Sequence, residues 1–146
     1  MTELEAYMTG GGPLFLIGQD IEWSGVPGAW LDTWFSCGTV VQDVLSSVAT
    51  VPVNGITGTF AEGWSGIADI VNFYPSGSTG TFYPDDMGSN GLLGDASYEF
   101  ACYDDTNKRI YSTVQFEACA AAEVEDIVDR VNAVLLRKGL NVWLPQ

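Results

Sequence analysis

The sequence predicts an α+β fold: a mainly antiparallel sheet with a long C-terminal amphipathic helix and a short internal helix. Three observations carry this. Val124, Ile127, Val128, Val131, Val134 and Leu135 recur at i, i+3, i+4, i+7, i+10 and i+11, which draws one apolar stripe along a helix. Just upstream, two runs rich in β-branched and aromatic residues flank the polar stretch DDTNK at 104–108, the pattern of a β-hairpin. Elsewhere short apolar runs are punctuated by Gly, Pro and Asn, as connected strands require.

In chain order, TELEAYM is a candidate N-terminal helix that stops at Gly10; TGGGP then reads as a flexible joint and LFLIG as a buried strand. Residues 20–38, DIEWSGVPGAWLDTWFSCG, show little periodicity. Val40, Val41, Val44, Leu45 and Val48 stand at helical spacing and predict the short internal helix. Asn54-Gly55 lies between apolar alternations and signals a tight hairpin, and Pro52 makes its first arm an edge strand. GIADIVNFY and TGTFYP read as further strands separated by PSGS, and residues 84–95 as a loop of turn formers. In the 98–116 hairpin, an even pairing sum puts Tyr98, Phe100, Cys102, Ile110, Val114 and Phe116 on one face, which calls for a turn of three or five residues and lays that face on the C-terminal helix. QFEAC reads as a strand leading into that helix, which spans about Ala120 to Lys138. Acids fill its first turns, Arg137 and Lys138 its last, Gly139 stops it, and LNVW follows as a short strand.

Composition narrows the function. At 146 residues and 47% hydrophobic, with no linker, the chain supports a single domain over 1–146. Nineteen acidic against five basic residues give a net charge of -14, so phosphate backbones and anionic lipids are repelled; neither nucleic acid nor membrane is expected as a partner. No apolar run is long enough to span a bilayer, and Glu3 and Glu5 stand where an export signal would carry positive charge. Charged residues are only 16% of the chain, so neutral and apolar area is left outside or covered by neighbours, which points to a homo-oligomer, with a mildly acidic monomer of Gly/Ser/Thr surface as the alternative. Cys37, Cys102 and Cys119 lack the paired spacing of a zinc site and read as buried reduced thiols, with one disulfide or an intersubunit bridge as the alternative.

Zero histidine removes Ser-His-Asp and Cys-His catalysis and nearly every catalytic zinc arrangement. GWSGI at 63–67 imitates a nucleophile elbow, but its final glycine is missing and no base exists for Ser65. DMGSNG, from Asp86, matches a calcium loop at three positions but has Gly88 at the third and Ser97 at the twelfth, so it reads as a turn. The carboxylate pairs Asp85/Asp86, Asp104/Asp105 and Glu22/Glu62 are the acid/base chemistry that remains. No catalytic residue, metal or cofactor is expected. Trp23, Trp30, Trp34, Trp64 and Trp143 are the candidate interaction residues, either as anchors of protein interfaces or as platforms for sugar rings.

The C-terminal third, YEFACYDDTNKRIYSTVQFEACAAAEVEDIVDRVNAVL, resembles the corresponding part of tailed-phage tail-terminator and neck proteins, in which a strand like Val114 to Cys119 leads directly into an amphipathic helix. That resemblance implies a small α+β ring subunit without catalytic residues, assembled in the host cytoplasm into a virion through contacts with itself and neighbouring structural proteins. The expected function is therefore a non-catalytic structural subunit of a virion: a neck, tail or capsid component. A carbohydrate-binding or carbohydrate-cleaving module, using Trp23 and Trp64 with nearby acids, is the first alternative. An acidic inhibitor or immunity protein that caps a basic partner is the second.

Overall fold

Residues 2–18, 21–22, 24–45, 48–69 and 83–136 are described by a computed structural model. Helix α1 (Thr2–Thr9) leads to strand β1 (Leu14–Ile17), helix α2 (Gly28–Phe35), and strands β2 (Thr50–Gly55), β3 (Ser65–Asp69), β4 (Gly91–Gly94), β5 (Glu99–Asp104) and β6 (Arg109–Ser112). A 3₁₀ turn at Phe116–Ala118 then leads to helix α3 (Ala121–Leu136).

The six strands form one curled, mixed sheet in the order β1-β6-β5-β4-β2-β3. Strand β1 runs parallel to β6, pairing Leu14 with Arg109 and Ile17 with Ser112. The class is α+β, but the expectation of a mainly antiparallel sheet with a long C-terminal helix is corrected to a mixed sheet with short helices. The parallel pair joins strands far apart in the chain and leaves no local pattern to read. Helix α3 has 16 residues in its described span, and the expected Lys138 end and the LNVW strand lie outside the described residues.

Both faces of the sheet are covered, which explains most of the remaining corrections. On one face, Val51, Val53, Leu93, Ala101 and Ile110 share a core with Ile127 and Val131 of α3. On the other, Cys102 and Tyr111 share a core with Leu31 and Phe35 of α2 and with Met87 and Cys37. In β1, Phe15 and Ile17 border the first core and Leu14 and Leu16 the second, so the run is apolar throughout. A register argument that assumes one wet face fails here. Tyr103 pairs with Ile110 and Cys102 with Tyr111, an odd sum, and the turn has four residues, 105–108, rather than three or five. Asp104 fixes that turn: its Oδ1 accepts the N–H groups of Thr106 (2.9 Å) and Asn107 (3.2 Å), and Lys108 closes it with φ 58°.

The expected internal helix is absent. Val41 instead bridges Asp86 in antiparallel fashion, because its β-branched neighbours extend more readily than they coil. Asn54-Gly55 is no hairpin turn: both residues belong to β2, and the β2–β3 connection runs over 56–64. Gly55 answers a different need, since a Cβ there would lie 1.7 Å from the Ala61 carbonyl oxygen. Pro52 pairs with Ile67 of β3, while the β4 pairing of β2 is confined to Asn54 and Gly55. The proline therefore sits where the strand has no second neighbour, although β2 as a whole is not an edge. Residues 91–94, expected as loop, form β4, with Leu92 and Leu93 buried and a register irregularity against β5.

TGGGP is no flexible joint. Gly12 N–H reaches Tyr7 O and Gly11 N–H reaches Met8 O, both at 3.0 Å, and Gly11 has φ 82°, which together make a Schellman stop for α1. The unperiodic stretch before residue 38 contains α2, an eight-residue helix after Pro27 whose Leu31 and Phe35 are fully buried at i, i+4. QFEAC is not a strand: Phe116–Ala118 form a 3₁₀ turn, and no strand runs from Val114 to Cys119. In α3 the stripe holds at Ile127, Val131 and Val134, but Val128 is 38% exposed at its margin. Glu123 starts the helix, its Oε2 accepting Ala120 N–H at 3.1 Å, as in a capping box. The expected strand material at 70–82 lies outside the described residues.

Candidate functional site

An open cleft of about 390 Å³ lies on the described surface where the β2–β3 connection, the β5–β6 turn and α3 meet. Gly58, Thr59 and Phe60 form one wall, Tyr103, Asp105 and Lys108 the other, and Val134 the base. Phe60 and Tyr103 meet edge to face, with centroids 5.0 Å apart at 88°. Tyr103 donates its hydroxyl proton to Asp105 Oδ1 at 2.7 Å and accepts a bond from Lys108 Nζ at 3.1 Å; Lys108 also pairs with Asp105 and lies 5.6 Å above the Tyr103 ring.

The electrostatics of this trio run away from neutrality. The hydrogen bond from Lys108 holds the Asp105 carboxyl below its ordinary value, Asp105 in turn raises Lys108, and burial raises the Tyr103 phenol. All three keep their usual charge states at pH 7, so none is poised to exchange a proton there. What the cleft offers is an aromatic wall, a hydroxyl and an ion pair that can bind.

The sequence-derived tryptophans do not gather at this cleft. Trp23 and Trp143 lie outside the described residues. Trp30 and Trp34 are half-buried neighbours on α2, their centroids 6.5 Å apart. Trp30 Nε1 donates to Glu5 Oε1 at 2.8 Å, and the Trp34 ring stacks under the Arg109 guanidinium at 5.1 Å. Trp64 is 3% exposed in the opposite core, with Nε1 bonded to Glu123 O at 2.9 Å and its ring edge-on to Phe116. Its side chain anchors α3 to the β2–β3 connection.

Each carboxylate pair has at least one member bonded to the backbone. Asp85 Oδ1 accepts Asp43 N–H (3.1 Å), Asp86 Oδ1 accepts Glu99 N–H (2.7 Å), and Glu62 Oε2 accepts Gly58 N–H (2.8 Å). Asp104 caps the β5–β6 turn, while Glu22 stands beside Gly28 at the start of α2. In DMGSNG, Ser89 and Asn90 bond to the Ser36 carbonyl, so the loop fastens α2 to β4. Among the described residues no group of three or more Cys, Asp or Glu could hold a metal ion, and no helix is long and apolar enough to cross a membrane.

Sequence reasoning missed Phe60, Tyr103 and Lys108 as a site. Phe60 falls in an expected hairpin arm, Tyr103 in an expected strand and Lys108 in an expected turn, and only the sheet order, with β2 and β5 on either side of β4, brings them together. No protein-family model matches the chain, and no curated protein matches it at a significant level.

Proposed function

We propose that this protein is a non-catalytic structural subunit that works by assembling with copies of itself and with neighbouring proteins. The observation that carries this is Ile67, 56% exposed in the middle of the outer strand β3. Outer strands are commonly guarded by charged or short side chains. Here the guard is Glu123, whose Oε2 accepts Ile67 N–H at 3.3 Å while leaving the side chain uncovered. Tyr7, Val41 and Val128 add further exposed apolar area to a surface poor in charge. The cleft supports the same reading, since none of its ionisable groups is set near neutrality.

The finer placement, a neck, tail or capsid component of a phage particle assembled in the host cytoplasm, rests on the resemblance of the C-terminal third. Light scattering after size exclusion, at several concentrations and two salt levels, tests the assembly reading. A mass above 15.7 kDa that rises with concentration, and that falls for Ile67→Lys, supports it. A strict monomer at every concentration, indifferent to Ile67→Lys, counts against it. The glycan reading loses Trp64 as a platform and gains Phe60 and Tyr103 in the cleft; a panel of glycans that leaves tyrosine and tryptophan fluorescence unchanged argues against it.

A further inference from the structure

We propose that Cys37 and Cys102 are a redox pair that closes to an intrachain disulfide in the folded protein. Three sets of contacts place them together. The Cys102 thiol donates to the Phe35 carbonyl at 3.7 Å, two residues before Cys37. Cys37 O accepts Ser89 N–H at 3.0 Å, the next residue's carbonyl, Asn90 O, accepts Tyr103 N–H at 2.9 Å, and Gly91 pairs with Cys102, so the 89–91 segment ties both cysteines to one spot. Both side chains are fully buried in the same core under α2.

The roles divide between them. The Cys102 thiol is held protonated, donating to the Phe35 carbonyl at 3.7 Å while burial raises it, and its proximity lowers Cys37. Cys37 is therefore the attacking thiolate, and Cys102 the resolving thiol. With hydrogen peroxide as oxidant, the Cys37 thiolate attacks one oxygen, the O–O bond breaks, hydroxide leaves, and Cys37 becomes a sulfenic acid. The Cys102 sulfur then displaces that hydroxyl, losing its proton. Two thiols and one peroxide yield one disulfide and two waters. Because neither sulfur reaches solvent, the step waits on opening of the α2 side and runs more slowly than at an exposed thiol. The bond would fasten the end of α2 to the centre of the sheet, and its long intervening loop favours a large gain in stability.

The test treats the folded Cys119→Ser chain with hydrogen peroxide, then unfolds it, alkylates it and maps peptides by mass. The expected result is a loss of two hydrogens, protection of both remaining cysteines from alkylation, one Cys37–Cys102 cross-linked peptide, and a rise of several degrees in Tm that dithiothreitol reverses. The proposal is overturned if both thiols stay alkylatable, if they proceed to sulfinic or sulfonic acid without a cross-link, or if the cross-link forms only in urea. The same chain with Cys37→Ser added separates sulfur chemistry from methionine oxidation, since it should show no reversible change in Tm.

Discussion

The two faces of the sheet are built on different terms. The α3 face is an ordinary apolar core in which Val51, Val53, Ala101, Ile110, Ile127 and Val131 exclude water, with Trp64 contributing its one polar atom to a helix carbonyl. The α2 face buries chemistry: two thiols, a tyrosine hydroxyl and the edge of a carboxylate, with the Arg109 guanidinium nearby. Arg109 is 3% exposed and donates to Gly12 O and Trp34 O, each at 3.3 Å, and to Met8 O, so one side chain joins the ends of α1 and α2. The Tyr111 hydroxyl and Glu22 Oε2 are buried without a hydrogen-bond partner among the described residues. The first face is held mainly by burial, with Trp64 and Glu123 adding hydrogen bonds between α3 and the β2–β3 region. The second depends on a few polar links and carries uncompensated groups.

The contrast can be broken hardest at Arg109. Arg109→Met keeps much of the side-chain volume but removes the guanidinium from the carbonyls of Met8, Gly12 and Trp34, of which Met8 O keeps the Gly11 N–H, and should cost about 4 kcal/mol in urea unfolding. A loss below about 1 kcal/mol would mean that water replaces the guanidinium and that the α2 face is looser than described. On the other face, Ile127→Ala should cost about 3 kcal/mol through lost burial and the cavity left behind. A loss below about 1 kcal/mol would mean that burial at Ile127 contributes little to the α3 face.

The subtlest test is Tyr111→Phe. Removing an unpartnered buried hydroxyl should leave stability unchanged or raise it by about 1 kcal/mol, the reverse of the usual cost of a core substitution. A pH signature goes with it. Burial holds the Tyr111 phenol above its ordinary value, so the folded chain keeps a proton that the unfolded chain releases above about pH 10. Stability from this group is intact below that pH and falls above it by about 1.4 kcal/mol per pH unit until the folded phenol itself ionises. Urea midpoints between pH 8 and 11 should show this decline in the parent chain, and less of it in Tyr111→Phe.

The same contrast explains what could be read in advance. Helix α3 was legible because a one-sided helix prints its 3.6-residue period on the chain, and only its length and the exposure of Val128 differed. Helix α2 was not, because eight residues with only Asp32 and Thr33 polar are too few to mark a period. Tyr111 was left out of the hairpin face for a related reason: with both faces dry, alternation of apolar and polar residues ceases to report orientation. The glycines misled in a further way. Gly55 looked like a turn residue and proved to be a point of close backbone approach, and no sequence pattern separates those two uses.

The sequence by itself determined the α+β class, the apolar stripe of α3, the absence of histidine chemistry and a surface that repels polyanions, because periodicity, composition and charge act locally or simply add up. Tertiary structure alone decided the parallel β1–β6 pair, the odd register of β5 on β6, the burial of Trp64, the cleft at Phe60 and Tyr103, and the meeting of Cys37 with Cys102. Each of these joins residues distant in the chain, and the energy that selects among such pairings comes from packing the whole sheet between its two cores.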